Sequence, residues 1–325
     1  MSIPAVKIRI WAALFSIYVI WGSTYLAIRF AVESLPPFLM AAVRFLIAGL
    51  LLYAWRRAAG DPTPSRSEVR SAAVVGLFLL LGGNGGVVWA EQRVPSGVTA
   101  LLIGATPLWM VLIDAFRPGG ARPNRLTLAG VLVGLAGIVL LIGPGQLTHH
   151  DQPIDLLGAG VLLGAAFLWA SGSIYGREAR LPSAPLLATS LEMLAGGAAL
   201  LLLGTFTGEW ARLDLAAVTP SAWLGLGYLV FFGSLVAFVA YTWLLKMAPT
   251  PLVATYAYVN PLVAIFVGNW LAHEPLTPRV LASALVIVSS VVLVNQGRKR
   301  PGRGVPAALV KAPQPARVEE SERPA

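Results

Sequence analysis

Long apolar segments alternate with short polar connections along the chain as far as residue 296. A window of about twenty residues, the helix length that crosses ~30 Å of hydrocarbon, finds ten such segments. Their predicted limits are 11–30, 37–55, 69–90, 95–116, 125–142, 155–175, 184–204, 221–245, 250–271 and 278–295. Because several connections are very short, consecutive helices are predicted to be antiparallel neighbours. The pattern is typical of an all-α polytopic membrane protein.

The sequence contains an internal repeat, because similar residues occur at corresponding positions of its two halves. Pro107 lies near the middle of segment 96–116. Pro261 lies at the corresponding place in segment 250–270. Further matches between the halves are Trp89 with Trp243, Arg125 with Arg279, Trp21 with Trp169 and Gly49 with Gly197. We therefore predict ten transmembrane helices in two five-helix repeats, at 1–143 and 155–296. Because each repeat has an odd number of spans, the second repeat is inverted across the membrane relative to the first.

Each of the two matched prolines interrupts its predicted helix. Proline has no N–H, so the carbonyl four residues earlier, that of Ile103 or Ala257, loses its helical hydrogen bond. Matched breaks in the two halves of a transporter indicate its substrate site. Pro107 and Pro261 are therefore predicted hinges.

The composition differs from that of a soluble domain. Hydrophobic residues make up 57% and charged residues 12% of the chain, and the mean hydropathy is +0.74. The net charge of +9 would indicate nucleic acid in a soluble protein. Here the cations lie between apolar spans, where membrane orientation and anionic lipid explain them, so the expected partner is the lipid bilayer and no nucleic acid. The chain has no cysteine, which excludes disulfides and thiol chemistry.

The cations between the spans also predict the orientation. One side holds Arg29, Arg93, Arg212 and Arg279, and most of the others fall on the opposite side. By the positive-inside rule the richer side is cytoplasmic, which predicts a multi-pass inner-membrane protein with both termini in the cytoplasm. Residues 297–325 are polar, basic and rich in proline, and they predict a disordered cytoplasmic tail.

Motifs of enzymes and of ATP-driven pumps are missing from the sequence. It contains no GxxxxGKS or GxxxxGKT phosphate-binding loop, and no GxSxG or HExxH pattern. His149, His150 and Asp151 could hold a metal, but a solvated loop is the better interpretation because no ligand cluster accompanies them. We predict no catalytic residue, no cofactor and no metal.

Two charged residues lie deep inside predicted spans. Arg44 is about seven residues, or ~10 Å, inside the second span, and Glu192 has a similar depth from the opposite face in the seventh. An unpaired ion at such depth costs at least ~2.5–3.5 kcal/mol, so each must face the bundle interior or water. One hypothesis is that Glu192 responds to protons and that Arg44 is its partner or binds a substrate carboxylate. The alternative is a pair of structural charges that cap carbonyls or bridge helices.

Aromatic and amide side chains complete the predicted substrate cavity. Trp21 and Tyr25 are four residues apart on one helical face, and Tyr256 precedes Asn260 by the same spacing. Such faces can line a cavity for flat or cationic solutes, although helix packing is the simpler explanation of any single aromatic. The cavity candidates are Trp21, Tyr25, Arg44, Asn84, Trp109, Trp169, Glu192, Tyr256 and Asn260.

Glycines mark further positions inside the spans. The run Gly82-Gly83-Asn84-Gly85-Gly86 predicts close backbone approach or a local break that faces a cavity, with the Asn84 amide available to a substrate. Two small-residue ladders predict helix packing; they are Gly130, Gly134 and Gly137, and Gly160 and Gly164.

Three stretches resemble the EamA-type drug/metabolite transporters, in particular their YedA-like inner-membrane members. They are residues 21–51, EMLAGG at 192–197 and YAYVNPLVAIFVG at 256–268. The resemblance implies a central cavity and export of amino acids, other metabolites or toxic solutes. The matching positions are Trp21, Gly22, Tyr25, Arg44, Pro107, Glu192, Asn260, Pro261 and Glu274. The family often has Gly-Glu after the fourth helix of each repeat, whereas here Glu274 follows a histidine and the first repeat lacks the acid.

The combined reading is a secondary transporter that exports a small organic solute across the inner membrane by alternating access, with proton coupling and oligomeric state left open. A nucleotide-sugar-type exchanger is the second candidate, although Arg44 alone is a poor match to a diphosphate. A membrane-embedded transferase or hydrolase would need a catalytic constellation that the sequence lacks. A channel or regulatory scaffold would not need matched prolines in two inverted halves.

Overall fold

The computed structural model describes residues 3–118, 123–142, 155–248, 253 and 255–298. Within these residues every regular element is helical, and we number the ten long helices in chain order. They are α1 Ile3–Val32, α2 Pro37–Ala58, α3 Arg66–Ala90, α4 Ser96–Phe116, α5 Arg125–Ile142, α6 Leu156–Glu178, α7 Pro185–Phe206, α8 220–247, α9 Tyr256–Ala272 and α10 Pro278–Arg298. The predicted tail beyond Arg298 and the His149–Asp151 loop lie outside the described residues.

The described helices have the length and composition of membrane spans. Nine are long and apolar enough to cross a bilayer, and a shorter apolar segment, Val259–Ala272, belongs to α9. The predicted all-α polytopic fold is therefore confirmed. Among the described residues, consecutive helices from α1 to α10 run in opposite directions, so odd-numbered helices end, and even-numbered helices begin, at one end of the bundle. We call this the Glu274 end, and the opposite one the Glu178 end.

The two halves interlock around a common core. Helix α2 packs along α7 and α5 along α10, so equivalent helices of the two repeats meet. The first helix of each repeat contacts the third and fourth helices of the other: α1 meets α8 and α9, and α6 meets α3 and α4. Phe45 and Leu101 are buried in the core where these helices converge. Each half thus covers apolar surface of the other.

Both third helices of the repeats contain a π-helical segment. In α3 it is Leu77–Asn84, and in α8 it is Leu229–Val236 between Pro220–Tyr228 and Ala237–Met247. A π segment shifts the i→i−4 hydrogen bonds by one residue and is frequent at functional sites. The π segment of α3 overlaps the glycine run at 82–86, where a Cβ on Gly82, Gly83 or Gly86 would be within 3 Å of α6, so the predicted close approach is present. Helix α8 contains an equivalent π segment that we did not predict.

The two glycine ladders differ in their packing. Gly130, Gly134 and Gly137 lie against α10, as predicted; a Cβ on Gly130 would be 2.8 Å from the backbone nitrogen of Val294. Gly160 and Gly164 are exposed, with no neighbouring atom within 4 Å of a Cβ. The prediction that this second pair packs helices is wrong, because these residues lie on a face of α6 that no described helix covers.

Two glutamates close helix N-termini at the Glu274 end. Helices α2 and α4 begin after Pro36 and Pro95, which have no side chain to accept the first backbone N–H groups. Glu209 accepts the N–H of Leu39 at 2.9 Å, and Glu274 accepts the N–H of Ser96 at 2.9 Å. A carboxylate at a helix N-terminus is favoured by these free N–H groups and by the helix dipole. Both acids come from the second repeat and cap helices of the first.

Candidate functional site

Trp21 lies at the centre of an aromatic cluster between α1, α8 and α9. Its ring centroid is 5.4 Å from that of Phe238 and 5.2 Å from those of Tyr241 and Tyr256, in edge-on or tilted contacts. Its Nε1–H donates to the carbonyl of Gly233 at 3.2 Å, inside the π segment of α8. The predicted candidates Trp21 and Tyr256 are thus in contact, and the π segment supplies the acceptor.

Arg44 points from α2 toward the same π segment. Its side chain is buried, its Nε–H donates to Ser234 Oγ at 2.9 Å, and its guanidinium lies 4.7 Å from the centroid of the Phe45 ring. Its Nη1 has no hydrogen-bond partner. A buried guanidinium with free donors is suited to an anionic or carbonyl group of a bound solute.

Trp169 makes the equivalent contact in the other half. It lies on α6 against the π segment of α3, where a Cβ on Gly83 would be 2.8 Å from its ring. The neighbouring Asn84 has a buried Oδ1 without a partner. Trp109 packs edge-on against Phe167 of α6, with ring centroids 5.5 Å apart.

The predicted cavity residues therefore fall into two groups related by the repeat. In each group, the tryptophan of a repeat's first helix rests on a glycine in the π segment of the other repeat, Trp21 on Gly233 and Trp169 on Gly83. Glycine permits this approach because a Cβ would meet the neighbouring side chains. The sequence match between Trp21 and Trp169 corresponds to this shared position.

Glu192 belongs to the second group but does not pair with Arg44 among the described residues. It is half-buried on α7, where its carbonyl oxygen would be 2.3 Å from a Cβ on Gly76 of α3. Helices α2 and α7 are antiparallel, and Gly49 of α2 contacts Leu194 of α7. Counted from this contact, Arg44 and Glu192 are offset along the helix axes by about seven residues, or ~10 Å. The depths predicted from opposite faces leave about 10 Å between the two residues in a ~30 Å core, which agrees with this offset. The two side chains form no direct salt bridge in this conformation.

Asn260 and Pro261 lie where α9 crosses α1 and α4. Asn260 is buried and its Oδ1 has no partner. A Cβ on Gly22 would be 3.2 Å from the Asn260 carbonyl oxygen, and one on Gly104 would be 3.0 Å from Cγ of Pro261. The proline region of α9 is thus held between a glycine of α1 and a glycine of α4.

The two matched prolines have different local structures. Pro107 is at the start of the second segment of α4, because the helix ends at Ile103 and resumes at Thr106. The hydroxyl of Thr106 donates to the Ile103 carbonyl at 2.6 Å and so replaces the hydrogen bond that proline removes. Pro261 stays inside the continuous helix Tyr256–Ala272. The break expected at both prolines is present at Pro107.

Comparison with known proteins follows the same two-part division. The sequence matches the model of the EamA-like transporter family twice, over residues 9–143 and 156–296. The chain belongs to the EamA-like transporter family.

Individual relatives cover most of this EamA-like chain. It is 40% identical over 290 residues to the uncharacterized inner membrane transporter YedA of Escherichia coli K12, across 89% of this chain and 91% of that protein. The WAT1-related chloroplastic protein At3g02690 of Arabidopsis thaliana is 26% identical, across 88% of this chain and 69% of its own. A solved structure described as "Crystal structure of protein" has a TM-score of 0.60 at 22% identity and covers 92% of this chain and 100% of its own, which shows a shared fold.

Family and relatives identify a multi-pass inner-membrane transporter of a small solute. The matching family and the YedA relative are both named as transporters, which argues against a transferase or hydrolase. The implied partners are a small-molecule substrate and the bilayer. Which of the cavity candidates contact the substrate remains a prediction.

Ion pairs at both ends of this EamA-like bundle were not predicted. At the Glu274 end, Arg29 of α1 binds Glu274 at 2.6 Å. At the Glu178 end, Arg117 after α4 binds Glu178 of α6 and also Asp114 at 2.9 Å. Each pair joins the first helix of one repeat to the end of the fourth helix of the other. Sequence reasoning missed them because charges at span ends are common and give no partner.

A buried carboxyl at the Glu274 end was also missed. Glu91 lies in the turn after α3 and is 4% exposed, and neither of its oxygens reaches hydrogen-bond geometry with a partner. Its charge acts on Tyr25, the neighbour of Trp21 on α1, and on Arg44. In the sequence it immediately follows a predicted span, a position that is usually at the water interface. Glu91 is buried by tertiary packing, because α1, α2 and the loop after α9 cover it.

Proposed function

We propose that this EamA-like transporter exports a small organic solute by alternating access, with the solute held between the two groups of cavity residues. The observation that carries the proposal is a set of buried polar atoms without partners at predicted cavity positions. They are Nη1 of Arg44, Oδ1 of Asn84 and Oδ1 of Asn260. Buried polar groups in proteins are nearly always paired, so an unpaired one at each of these three positions supports a bound polar molecule.

These atoms describe the solute in outline. The guanidinium of Arg44 would bind a carboxylate or a carbonyl group, and the two amide oxygens would accept from N–H or O–H donors. The adjacent Trp21 and Tyr256 offer apolar and aromatic surface for a flat or cationic part. A small solute with both acceptor and donor groups fits this set better than a nucleotide sugar, because Arg44 is the buried arginine of the described residues and a diphosphate needs more cations.

Alternating access would use the two matched ends of the bundle. Opening at one end would separate α1 from α9 and break Arg29–Glu274, while opening at the other would separate α6 from α4 and break Arg117–Glu178. The break at Pro107 and the helix proline Pro261 would absorb the change in angle. Both termini would face the cytoplasm, since the cation-poor side carries Arg29 and Arg93.

Uphill export would draw on a proton gradient, with Glu192 as the responsive carboxyl. The proposal assigns the proton to Glu192 because it is half-buried inside α7 and forms no ion pair with Arg44. A carboxyl in that setting can gain or lose a proton as the cavity opens to either side. In proteoliposomes, Glu192→Gln should abolish transport driven by a pH gradient and keep substrate exchange. Retained gradient dependence would assign Glu192 to a structural role.

Thermal unfolding against a panel of metabolites tests the binding site itself. A bound solute raises the melting temperature, by the equivalent of about 2.7 kcal/mol at one hundred times its Kd. Arg44→Gln should lose the shift, whereas Arg180→Gln, which changes an exposed arginine of the same charge, should retain it. An equal shift in both variants would remove Arg44 from the site.

A further inference from the structure

Glu91 lines a polar opening at the Glu274 end. A cavity of about 440 Å³ lies beside it. The other lining residues are Arg29, Val32, Glu33, Gln92, Arg93, Val94 and Pro95. The residue is 4% exposed and both carboxyl oxygens are buried, so Glu91 lies at the wall of this opening with little direct contact to water.

Charged and titratable groups face Glu91 from each element packed around it. Helix α1 contributes Tyr25 and Arg29, and α2 contributes Arg44. The loop after α9 contributes Glu274. The cavity adds Glu33 of the turn after α1 and Arg93 of the turn that holds Glu91.

Every cation in this set already has another contact. Arg29 binds Glu274 at 2.6 Å, and Arg44 donates to Ser234. Arg93 lies 4.7 Å from the Trp89 ring centroid and 3.8 Å from Asp155. Glu91 therefore lacks a dedicated counter-ion, although Arg29 and Arg44 are near enough to act on its charge.

Glu274 provides the contrast within the same cluster. Its oxygens accept from Arg29 and from the backbone N–H groups of Ser96 and Gly97, so its ionised form is fully compensated. The backbone of Arg29 approaches Glu91, but neither carboxyl oxygen of Glu91 forms a hydrogen bond of normal geometry. An ionised carboxylate buried in this way is costly, and the neutral acid is the cheaper form. Burial, with the charge of Glu274 in the same direction, raises the pKa of Glu91 well above its usual range.

We propose that Glu91 is a proton-binding site of the transporter, and that loss of its proton releases Arg29 from Glu274. With the proton in place, Arg29 has one anionic partner and the Glu274 end stays closed. When Glu91 gives its proton to water in the adjoining cavity, its carboxylate competes with Glu274 for Arg29. The pair that joins α1 to the loop after α9 is then weakened, and this end opens.

This inference rests on the proposed alternating access, because opening of the Glu274 end is one of its steps, and it adds the group that controls this opening. It differs in location from the role proposed for Glu192. The backbone carbonyl of Glu192 contacts Gly76, ten residues into α3, and Glu91 follows the end of that helix, about fifteen residues or ~22 Å away. The two carboxyls would serve opposite ends of the bundle.

Infrared difference spectroscopy of the reconstituted full-length protein tests proton binding without any transport. Spectra are recorded from about pH 5 to about pH 9, a range above the pKa of an ordinary carboxyl. A protonated carboxyl that titrates in this range should give a carbonyl-stretch band in the parent protein. Because Glu192 is also proposed to bind a proton, Glu91→Gln should remove one component of the band and leave another. Glu192→Gln and Glu33→Gln should both retain the component that Glu91→Gln removes. An unchanged band in Glu91→Gln overturns the proposal.

Thiol labelling tests the link to the ion pair, since the natural chain has no cysteine. Thr99 is fully buried one turn inside α4, and its hydroxyl has no partner. The rate at which N-ethylmaleimide labels Thr99→Cys, divided by that of the exposed control Ala217→Cys, reports on opening. This ratio should rise with pH, up to about ten-fold per pH unit below the pKa of Glu91. With Glu91→Gln added it should stay at its acid value, and with Glu274→Gln added it should be high throughout.

The two measurements separate this inference from the proposed function. If a proteoliposome assay with a pH gradient shows no transport while the band and the labelling ratio behave as expected, the proton site stands and the transport proposal fails. If the labelling ratio keeps its full pH dependence in Glu91→Gln, the proton site is refuted whatever the transport assay gives.

Discussion

Arg29 and Glu274 form an ion pair that has a counterpart with exchanged charges at the other end of the bundle. In the first pair the cation is on the first helix of a repeat and the anion follows the fourth helix of the other. In the second, Glu178 supplies the anion from a first helix and Arg117 the cation after a fourth. Two inverted repeats thus place equivalent contacts at opposite ends, as expected if the ends open in turn.

Removing the Glu274 carboxylate should lower stability by about 1–3 kcal/mol, because Glu274→Gln breaks the ion pair and weakens two bonds to the start of α4. Glu209→Gln is the matched control, since Glu209 accepts backbone N–H groups at the start of α2 in the same way. Its nearest cation, Arg212, is 3.7 Å away, so Glu209 lacks a close ion pair like that of Glu274. Thermal unfolding should show a loss for both variants. Labelling of Thr99→Cys should increase only with Glu274→Gln, and an equal increase with Glu209→Gln would contradict a specific role for the pair.

The free energy of unfolding should fall as pH rises, because Glu91 loses its proton. Because its pKa is raised in the folded state, chiefly by burial, the folded protein keeps a proton that the unfolded chain loses. This contribution is fully present below about pH 4.3, the ordinary carboxyl pKa, and is lost as pH rises through the folded pKa. The melting temperature of Glu91→Gln relative to the parent should therefore increase with pH. Glu33→Gln, at an exposed site, should show no such trend; the same slope in both would contradict the assignment.

Alanine at Gly76 should disrupt the contact between α3 and α7. Its Cβ would be 2.3 Å from the carbonyl oxygen of Glu192, a backbone atom that cannot rotate away. We expect a loss of about 1–3 kcal/mol in unfolding free energy. Gly164→Ala is the control, because no atom lies within 4 Å of its Cβ and alanine favours the helix. Comparable losses in both variants would show that the close approach of α3 and α7 is unimportant.

The prolines should matter more for transport than for folding. Pro107→Ala restores an N–H that can replace the Thr106 hydroxyl at the Ile103 carbonyl and rejoin the two segments of α4. Pro261→Ala removes the ring that packs on Gly104. Each change should bias the carrier toward one state and reduce flux. Parent-like flux from a well-folded double variant, measured in proteoliposomes, would refute the hinge role.

The proposed orientation can be tested with reporter fusions. Fusions after Pro118 and after Gln296 should report the cytoplasm, and a fusion within 146–152 should report the opposite side. The expectation rests on the small number of cations, including Arg29 and Arg93, at the Glu274 end. The same compartment reported by the fusions at Pro118 and 146–152 would remove α5 as a span and with it the inverted arrangement.

The sequence alone determined the membrane class, the ten spans and the repeat. These properties depend on local composition and spacing, since about twenty apolar residues must cross the bilayer as a helix wherever they occur. Matching positions such as Trp21 with Trp169 and Pro107 with Pro261 were visible for the same reason. The separation of Arg44 from Glu192 could also be predicted, because depth in a span follows from counting residues.

Only the tertiary structure decided which charges are buried and what they contact. Glu91, Glu209 and Glu274 each follow a helix end, where sequence patterns indicate a solvated acid. Glu209 and Glu274 are buried because the starts of α2 and α4, more than a hundred residues away in the chain, need acceptors for N–H groups that their proline caps leave free. The π segment of α8 and the unequal prolines were likewise decided by packing. Contacts between distant helices set the energy of these sites, and no local pattern in the sequence records them.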